Sequence, residues 1–152
     1  MHDLARRVEH GGVFSCPEVS TSAQPFLAAL FRRLLPARPL VVVTEGLRTQ
    51  ESFHQDIGTW LKRGTASEPK NEDEKRASPA GGSVDRNSEA HFYPAWEILP
   101  HEDRLPHVDV ISDRLETLLA AAEPNASPLI VTSVTALLQR TFPPQILEQQ
   151  TR

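Results

Sequence analysis

The sequence predicts an α/β fold: a doubly wound, mostly parallel sheet of about four strands with helices on its faces. Two apolar runs, "LVVV" at 40–43 and "PLIVTS" at 128–133, are typical of strands that are buried on both faces, as in parallel sheets. Segments with apolar residues at helical spacing alternate with such strands along the chain. Parallel strands that alternate with helices need right-handed crossovers, and this combination predicts a doubly wound sheet.

The length and composition predict one globular domain. The chain has 152 residues, 39% of them hydrophobic, and its 16 basic and 20 acidic residues give a formal net charge of −4. We expect a single lobe over residues 1–144 and a tail over 145–152. The charge gives no whole-chain attraction for DNA, and no run approaches the ~18 apolar residues of a membrane span. With one cysteine and no apolar leader segment, a cytoplasmic location is expected.

The first half predicts two strands and two helices. A short apolar stretch that ends at Cys16 is the expected first strand, and apolar spacing then predicts a helix over about 22–35 that the following prolines end. The strand at 40–43 precedes a helix over about 47–61. The buried residues expected on this helix are Leu47, Phe53, Ile57, Trp60 and Leu61. The residues expected to face water are His54, Gln55 and Asp56.

The second half begins with a change of composition. Residues 62–90 lack aromatic residues, leucine and isoleucine, which predicts a disordered insertion. A strand over about 91–93, a proline-rich connection and a helix over about 108–122 follow. The apolar stripe of this helix comprises Ile111, Leu115, Leu118 and Leu119. Ser133 ends the last strand and is expected to cap a final helix, "VTALLQR", before two prolines.

The connector before the first helix, "CPEVSTSAQ", occupies the place where nucleotide-binding α/β domains hold phosphate. A P-loop needs glycines and a lysine, and this connector has neither. Pro17 removes an amide donor, and the Glu18 carboxylate at about 4 Å from a phosphate would cost on the order of 4 kcal/mol at an effective dielectric of ~20. Side-chain caps are offered by Ser20, Thr21 and Ser22. We therefore expect a capped turn without a cofactor, and weak capture of sulfate or phosphate is the alternative.

Histidines and carboxylates gather around the proline-rich connection. The set comprises His91, His101, Glu102, Asp103, His107 and Asp109. No pair has the HExxH spacing or another helical spacing of metal ligands, and Pro100 and Pro106 place them on irregular backbone. We interpret them as solvated loop residues and expect no metal, with a metal site as the alternative.

Three further features have a functional and a structural interpretation. Cys16 could be a nucleophile, but without a partner signature it is expected to be a small buried hydrophobe at the end of a strand. A second group, Arg32, Arg33 and Arg38, could contact nucleic acid. Because no aromatic residue interleaves with these arginines, a role in solubility and in the helix dipole is favoured. Trp96 has apolar neighbours, which indicates a core residue.

Two stretches carry a resemblance to a known family. They are "FYPAWEILPHEDRLPHVDVISDRLETLLAAA" at 92–122 and "PLIVTSVTALLQRTFPP" at 128–144. The Trp-Glu-x-Leu-Pro turn, the Arg-Leu-x-x-Leu helix and the apolar strand before "SVTALLQR" together resemble the N-terminal, UvrB-like region of the bacterial transcription-repair coupling factors. The stretch at 38–61 resembles the preceding strand and helix of that region more loosely.

The resemblance implies a degenerate RecA-like lobe whose P-loop has been lost, so that this chain alone is not an enzyme. The motif-turn residues are Trp96, Glu97, Leu99 and Pro100, and the helix-signature residues are Arg114 and Leu115. All are expected to be structural, and we expect Glu97 to interact with Arg114. For the whole family protein, an ATP-dependent DNA translocase, the implied partners are UvrA, RNA polymerase and DNA. The surface that docks on UvrA belongs to a small domain after the "LLQR" helix, so residues 145–152 are expected to begin that domain.

The leading interpretation is a non-catalytic scaffold of transcription-coupled nucleotide-excision repair. Two alternatives remain open. One is a stand-alone adaptor that binds UvrA or DNA. The other is a small α/β enzyme that uses Cys16 or the cluster between His101 and Asp109.

Overall fold

A computed structural model describes Arg6, Val8, residues 10–65, 89–98 and 104–143, and Leu147. It confirms the predicted α/β class. A 3₁₀ turn, Thr21–Ala23, precedes the first helix. In chain order the elements are α1 (Gln24–Leu34), β1 (Leu40–Thr44), α2 (Leu47–Thr65), β2 (Ala90–Tyr93), α3 (Val108–Ala122), β3 (Leu129–Ser133) and α4 (Val134–Leu138).

The sheet is parallel, and β3 lies between β1 and β2. Leu129 of β3 is level with Leu40 of β1 and with Ala90 of β2. Within the described ranges the sheet has three strands, so the strand expected to end at Cys16 is wrong: residues 11–16 have no regular structure. Gly11 and Gly12 adopt positive φ angles of 78° and 126°, which extended strands do not use, and the stretch has few apolar residues to bury.

Helices lie on both faces of this sheet, but one face of β1 stays open: Val41 and Val43 are 51% and 48% exposed, so the predicted burial of this strand on both faces is wrong. On one face, Leu40 and Val42 of β1 pack against a core from α1, α2, β2 and β3. The members of that core are Ala28, Ala29, Phe53, Ile57, Leu61, Ala90, Leu129 and Val131. Side chains alternate along a strand, so Tyr93 points to the other face, where it contacts Arg114 of α3. The crossovers through α2 and α3 therefore lie on opposite faces, as the doubly wound prediction requires.

The helices depart from the prediction in burial. On α3 the apolar stripe of Ile111, Leu115, Leu118 and Leu119 is half-buried, and the buried side chains are Arg114 and Thr117. The reason is that α3 packs mainly against the edge strand β2 of a narrow sheet. On α2, Leu47 and Trp60 are exposed, whereas His54 is half-buried and bonds the carbonyl of Ala90 at 2.7 Å.

Element boundaries also differ. The helix α2 continues to Thr65, so disorder from residue 62 is wrong for its last turn, and β2 already begins at Ala90. Residues 66–88 of the predicted insertion lie outside the described residues. The final helix ends at Leu138, before the Gln-Arg pair. None of the described helices is both long enough and apolar enough to cross a membrane.

Candidate functional site

The densest polar arrangement lies beyond the carboxyl ends of β2 and β3. These strands are neighbours and parallel, so the segments that follow them leave the sheet at the same edge. The segment after β2 carries Trp96, and the segment after α4 carries Gln139. Between them lies the side chain of Arg114 from α3. We call Tyr93, Trp96, Arg114 and Gln139 the Arg114 cluster.

Arg114 is the centre of the cluster and is 0% exposed. Its Nη1 donates to the carbonyl of Pro94 at 2.6 Å, and its Nη2 donates to the Tyr93 hydroxyl at 2.7 Å. The guanidinium carbon lies 4.2 Å from the centre of the Tyr93 ring and 4.3 Å from that of Trp96. The cation is therefore held by two aromatic rings and by oxygen acceptors.

No carboxylate contacts the Arg114 guanidinium among the described residues. Burial lowers the pKa of Arg114, because desolvation disfavours its charged form, and the Tyr93 hydroxyl opposes that shift. Its buried Nε–H has no hydrogen-bond partner within the described part of the chain. Burying a cation without a counter-ion is expensive, and ring quadrupoles and carbonyl dipoles offset only part of the expense. A hydrophobic side chain would fill this position without the free-energy cost of desolvating a charge. The arginine therefore has a specialised role at this position.

Trp96 and Gln139 form a reciprocal clamp. The backbone N–H of Trp96 donates to Gln139 Oε1 at 2.6 Å, and Gln139 Nε2 donates back to the carbonyl of Trp96 at 3.2 Å. The indole N–H of Trp96 donates to the Arg140 carbonyl at 3.1 Å, and the Tyr93 hydroxyl donates to Thr141 Oγ1 at 3.0 Å. The chain after α4 is thereby fixed against the turn after β2.

A second polar network fills the strand ends themselves. Gln50, in the first turn of α2, is 0% exposed, and its Nε2 donates to the carbonyls of Tyr93 and Val131 at 2.9 and 3.1 Å. Thr132 Oγ1 also donates to the Tyr93 carbonyl, at 3.0 Å, and Thr44 Oγ1 donates to the Thr132 carbonyl at 3.1 Å. Ligands of doubly wound proteins bind in the crevice at these strand ends. In this chain, side chains of the protein itself donate hydrogen bonds to the carbonyls at the strand ends.

The residues of the expected phosphate loop do not assemble into a site. Cys16 is exposed, so its expected burial is wrong, and Glu18 is exposed as well. Among the described residues the segment follows no strand, so it is not the strand-to-helix loop of a nucleotide-binding lobe.

The expected side-chain caps are also wrong. The Ser20 hydroxyl bonds the Ser22 hydroxyl at 3.2 Å, and neither the 3₁₀ turn nor α1 has a side-chain cap. The turn closes instead through the backbone, where the Ala23 N–H donates to the carbonyl of Ser20 at 2.9 Å. Pro17 lies in the exposed turn before it.

The candidate metal ligands are dispersed. His107 caps α3: its Nδ1 lies 3.4 Å from the backbone N–H of Asp109 and 3.2 Å from the Asp109 carboxylate. His91 is half-buried on the edge strand β2. His101, Glu102 and Asp103 lie outside the described residues. Within the described part of the chain, no three His, Cys, Asp or Glu side chains come together in a way that could hold a metal ion.

The motif residues behave differently from one another. Trp96 and Arg114 meet face to face, whereas Glu97 is exposed and makes no ion pair with Arg114, so that expected interaction is wrong. The physical reason is that the guanidinium points inward, toward Tyr93 and the Pro94 carbonyl. Leu115 is half-buried. Leu99 and Pro100 lie outside the described residues.

Three important residues were not singled out from the sequence: Tyr93, Gln50 and Gln139. Gln50 precedes Phe53 and Ile57 by three and seven positions, so it lies on the apolar stripe of α2. A polar residue on such a stripe is the signal that could have identified it. Nothing in the local sequence distinguishes Tyr93 from an ordinary strand aromatic.

Comparisons of the chain with protein-family models, curated proteins and solved structures found no match. The resemblance described above therefore rests on the residues that carry it.

Proposed function

We propose that this chain is a non-catalytic scaffold of transcription-coupled nucleotide-excision repair, equivalent to the first N-terminal lobe of a transcription-repair coupling factor. The Arg114 cluster is the observation that supports this proposal best. It joins the stretch at 92–122 to the stretch at 128–144, and these two stretches carry the resemblance. Two of the residues that resemble family motifs, Trp96 and Arg114, are thus also partners in one arrangement.

The strand-end network favours a scaffold over an enzyme. Gln50 and Thr132 satisfy the carbonyl of Tyr93, at the edge where a RecA-like lobe would hold its nucleotide. A ligand there would have to displace these buried hydrogen bonds, each of which contributes about 1 kcal/mol net. The connector at 16–24 offers no glycine or lysine as a substitute.

The mechanical role of the module is to hold a neighbouring segment in one orientation relative to the lobe. Gln139 and the Arg140 carbonyl are bonded to Trp96, so the chain after α4 is held at a fixed point of the lobe. In the family, the surface that docks on UvrA lies beyond this point. Translocation on DNA, ATP hydrolysis and binding to RNA polymerase belong to other parts of the whole family protein.

A strand-specific repair assay tests the function. Deletion of the coding region for residues 12–143 from the chromosome of the source organism should abolish the faster repair of ultraviolet lesions in the transcribed strand, while repair of the other strand continues. Arg114→Ala should reproduce the defect in part, and the exposed, matched Arg48→Ala should not. Unchanged strand preference after the deletion would reject the proposal.

A binding measurement tests the non-catalytic part separately. Titration of the purified chain with a non-hydrolysable ATP analogue and Mg²⁺ should give no heat of binding at micromolar concentrations. Micromolar binding that Glu18→Gly strengthens would contradict the scaffold assignment, since it would show a working phosphate site at the connector. Cys16→Ala should leave every readout unchanged, and a loss of function in that variant would favour the enzyme alternative.

A further inference from the structure

A second aromatic and basic arrangement lies on the outer side of α1 and α2, away from the Arg114 cluster. The Trp60 and Phe26 rings meet edge to face with their centres 5.1 Å apart, and they remain 38% and 40% exposed. The guanidinium carbon of Arg63 lies 5.7 Å from the centre of the Trp60 ring. Arg33 of α1 donates from Nη2 to the carbonyls of Trp60 and Leu61 at 2.7 and 3.2 Å. We call Phe26, Arg33, Trp60 and Arg63 the Trp60 surface.

The charge of this surface is locally positive although the whole chain is acidic. The helix α1 contains no acidic residue and carries the buried Arg32 and the exposed Arg33 in its last turn, and the last turn of α2 carries Lys62 and Arg63. On α2 the acidic residue nearest in sequence to Trp60 is Asp56, one turn earlier. Arg33 and Arg63 are exposed and make no ion pair within the described ranges. The Arg63 guanidinium therefore lies over an accessible indole, and the Arg33 guanidinium is bonded to the backbone carbonyl of the same tryptophan.

No aromatic residue lies between the arginines Arg32, Arg33 and Arg38 in the sequence, and this is why a nucleic-acid role for them is not favoured there. The fold brings a further aromatic residue close, because Arg33 bonds the backbone carbonyl of Trp60 across 27 positions of sequence. Aromatic rings interleaved with arginines are the arrangement that binds single-stranded nucleic acid, in which bases stack and cations contact phosphates.

We propose that the Trp60 surface binds single-stranded nucleic acid. One base stacks on the face of the Trp60 indole that the Arg63 guanidinium now covers. Arg33 and Arg63 contact the flanking phosphates. Phe26 supports the indole from its edge. Duplex is not the ligand, because its bases are already stacked on one another and cannot stack on the indole. The proposal is independent of the function proposed above.

Fluorescence anisotropy with labelled homopolymers of about 12 nucleotides, dT and rU, measures this binding within the site sizes known for single strands. Trp60→Ala should raise the Kd about tenfold, whereas Trp60→Phe, which keeps a stacking ring, should raise it about threefold or less. Arg63→Gln should reduce the slope of log K against log salt by about 0.7, the value for one phosphate contact on a single strand. The matched variant Arg48→Gln, which removes the same charge from the exposed first turn of α2, should change neither quantity.

Several outcomes would overturn the proposal. Equal weakening by Arg48→Gln and Arg63→Gln would show a non-specific charge effect, and equal affinity for duplex would show that no base stacks. Equal affinity for a polyglutamate peptide of the same charge would identify an acidic protein as the ligand. Should Trp60→Ala lower the melting temperature, Trp60→Phe and Arg63→Gln decide the question, because both preserve the helix packing. A difference between dT and rU assigns the strand type: tighter binding of rU would show a contact to the 2′-hydroxyl.

Discussion

The chain contains two tryptophan–arginine pairs with opposite environments. At Trp96 and Arg114 the guanidinium is fully buried, 4.3 Å from the ring, and bonded to oxygen acceptors. At Trp60 and Arg63 the guanidinium is exposed and lies 5.7 Å from the ring. The residue types are the same, so the difference lies in burial and in how far the hydrogen-bond donors are satisfied.

This difference separates a structural use of the pair from one that is available to a ligand. A guanidinium that is fully buried and bonded to oxygen acceptors, as Arg114 is, has no donor that a phosphate can reach. An exposed guanidinium donates hydrogen bonds to water, and replacing that water with a ligand costs little free energy. We therefore assign the Arg114 cluster to the architecture and the Trp60 surface to binding. Four substitutions test that division, in order of expected effect on the free energy of unfolding.

Arg114→Ala should cause the largest loss of stability, about 4 kcal/mol. The Pro94 carbonyl and the Tyr93 hydroxyl would lose their buried donor, and a cavity would remain between the two rings. Arg63→Ala, the counterpart on the exposed pair, should change stability by no more than about 0.5 kcal/mol. Urea denaturation followed by circular dichroism measures both. A loss below about 1 kcal/mol for Arg114→Ala would mean that desolvation cancels its contacts, and the division would fail.

Gln139→Ala should lower the free energy of unfolding by about 2 kcal/mol, because it breaks both hydrogen bonds of the clamp and leaves polar groups of the Trp96 backbone unpaired. The exposed Gln55 on α2 provides the control, and Gln55→Ala should be neutral within about 0.5 kcal/mol. Urea denaturation gives both values. Equal effects of the two substitutions would show that the clamp contributes nothing to stability.

Trp96→Phe should cost about 1 kcal/mol, since phenylalanine keeps a ring on Arg114 but cannot donate to the Arg140 carbonyl. The indole N–H of Trp60 has no such bond in the described part of the chain, so Trp60→Phe should cost less than about 0.5 kcal/mol. Melting temperatures of the two variants provide the comparison. A larger loss at Trp60 would show that the exposed pair has a structural role as well.

The fold class was predictable from the sequence because strands β1 and β3 are continuous apolar runs with helical patterns between them, although only β3 is largely buried. The first predicted strand was wrong, since a few apolar residues near Phe14 cannot be distinguished locally from an exposed coil. Whether a strand forms depends on a neighbouring strand, and that is a property of the tertiary structure.

The site was predictable only in part. Trp96 and Arg114 were singled out as motif residues, yet their contact was not, because Glu97 is the obvious partner in sequence and the carbonyl of Pro94 is not. A prediction that pairs side chains only by charge overlooks hydrogen-bond acceptors on the backbone. The Trp60 surface shows the same limit: Arg33 bonds the carbonyl of Trp60 only because α1 and α2 pack together.

Asp113→Asn should have the smallest effect, a gain of about 0.3 kcal/mol at pH 7, and it tests whether Arg114 has an acidic partner after all. Burial first, and then the charges of Glu116 and Asp109, raise the pKa of Asp113, while His54 lowers it. A carboxylate paired with Arg114 would instead have a lowered pKa.

The raised pKa of Asp113 makes stability depend on pH. Because the folded chain binds the Asp113 proton more tightly than the unfolded chain, the contribution of Asp113 to stability falls as the pH rises from the unfolded value of 3.8 through the raised folded value. The gain from Asp113→Asn should therefore be present near pH 7 and shrink towards pH 3.8, as denaturation at several pH values measures. Asp56→Asn on the exposed side of α2 controls for net charge, and a loss of stability in Asp113→Asn at pH 7 would identify Asp113 as the counter-ion of Arg114.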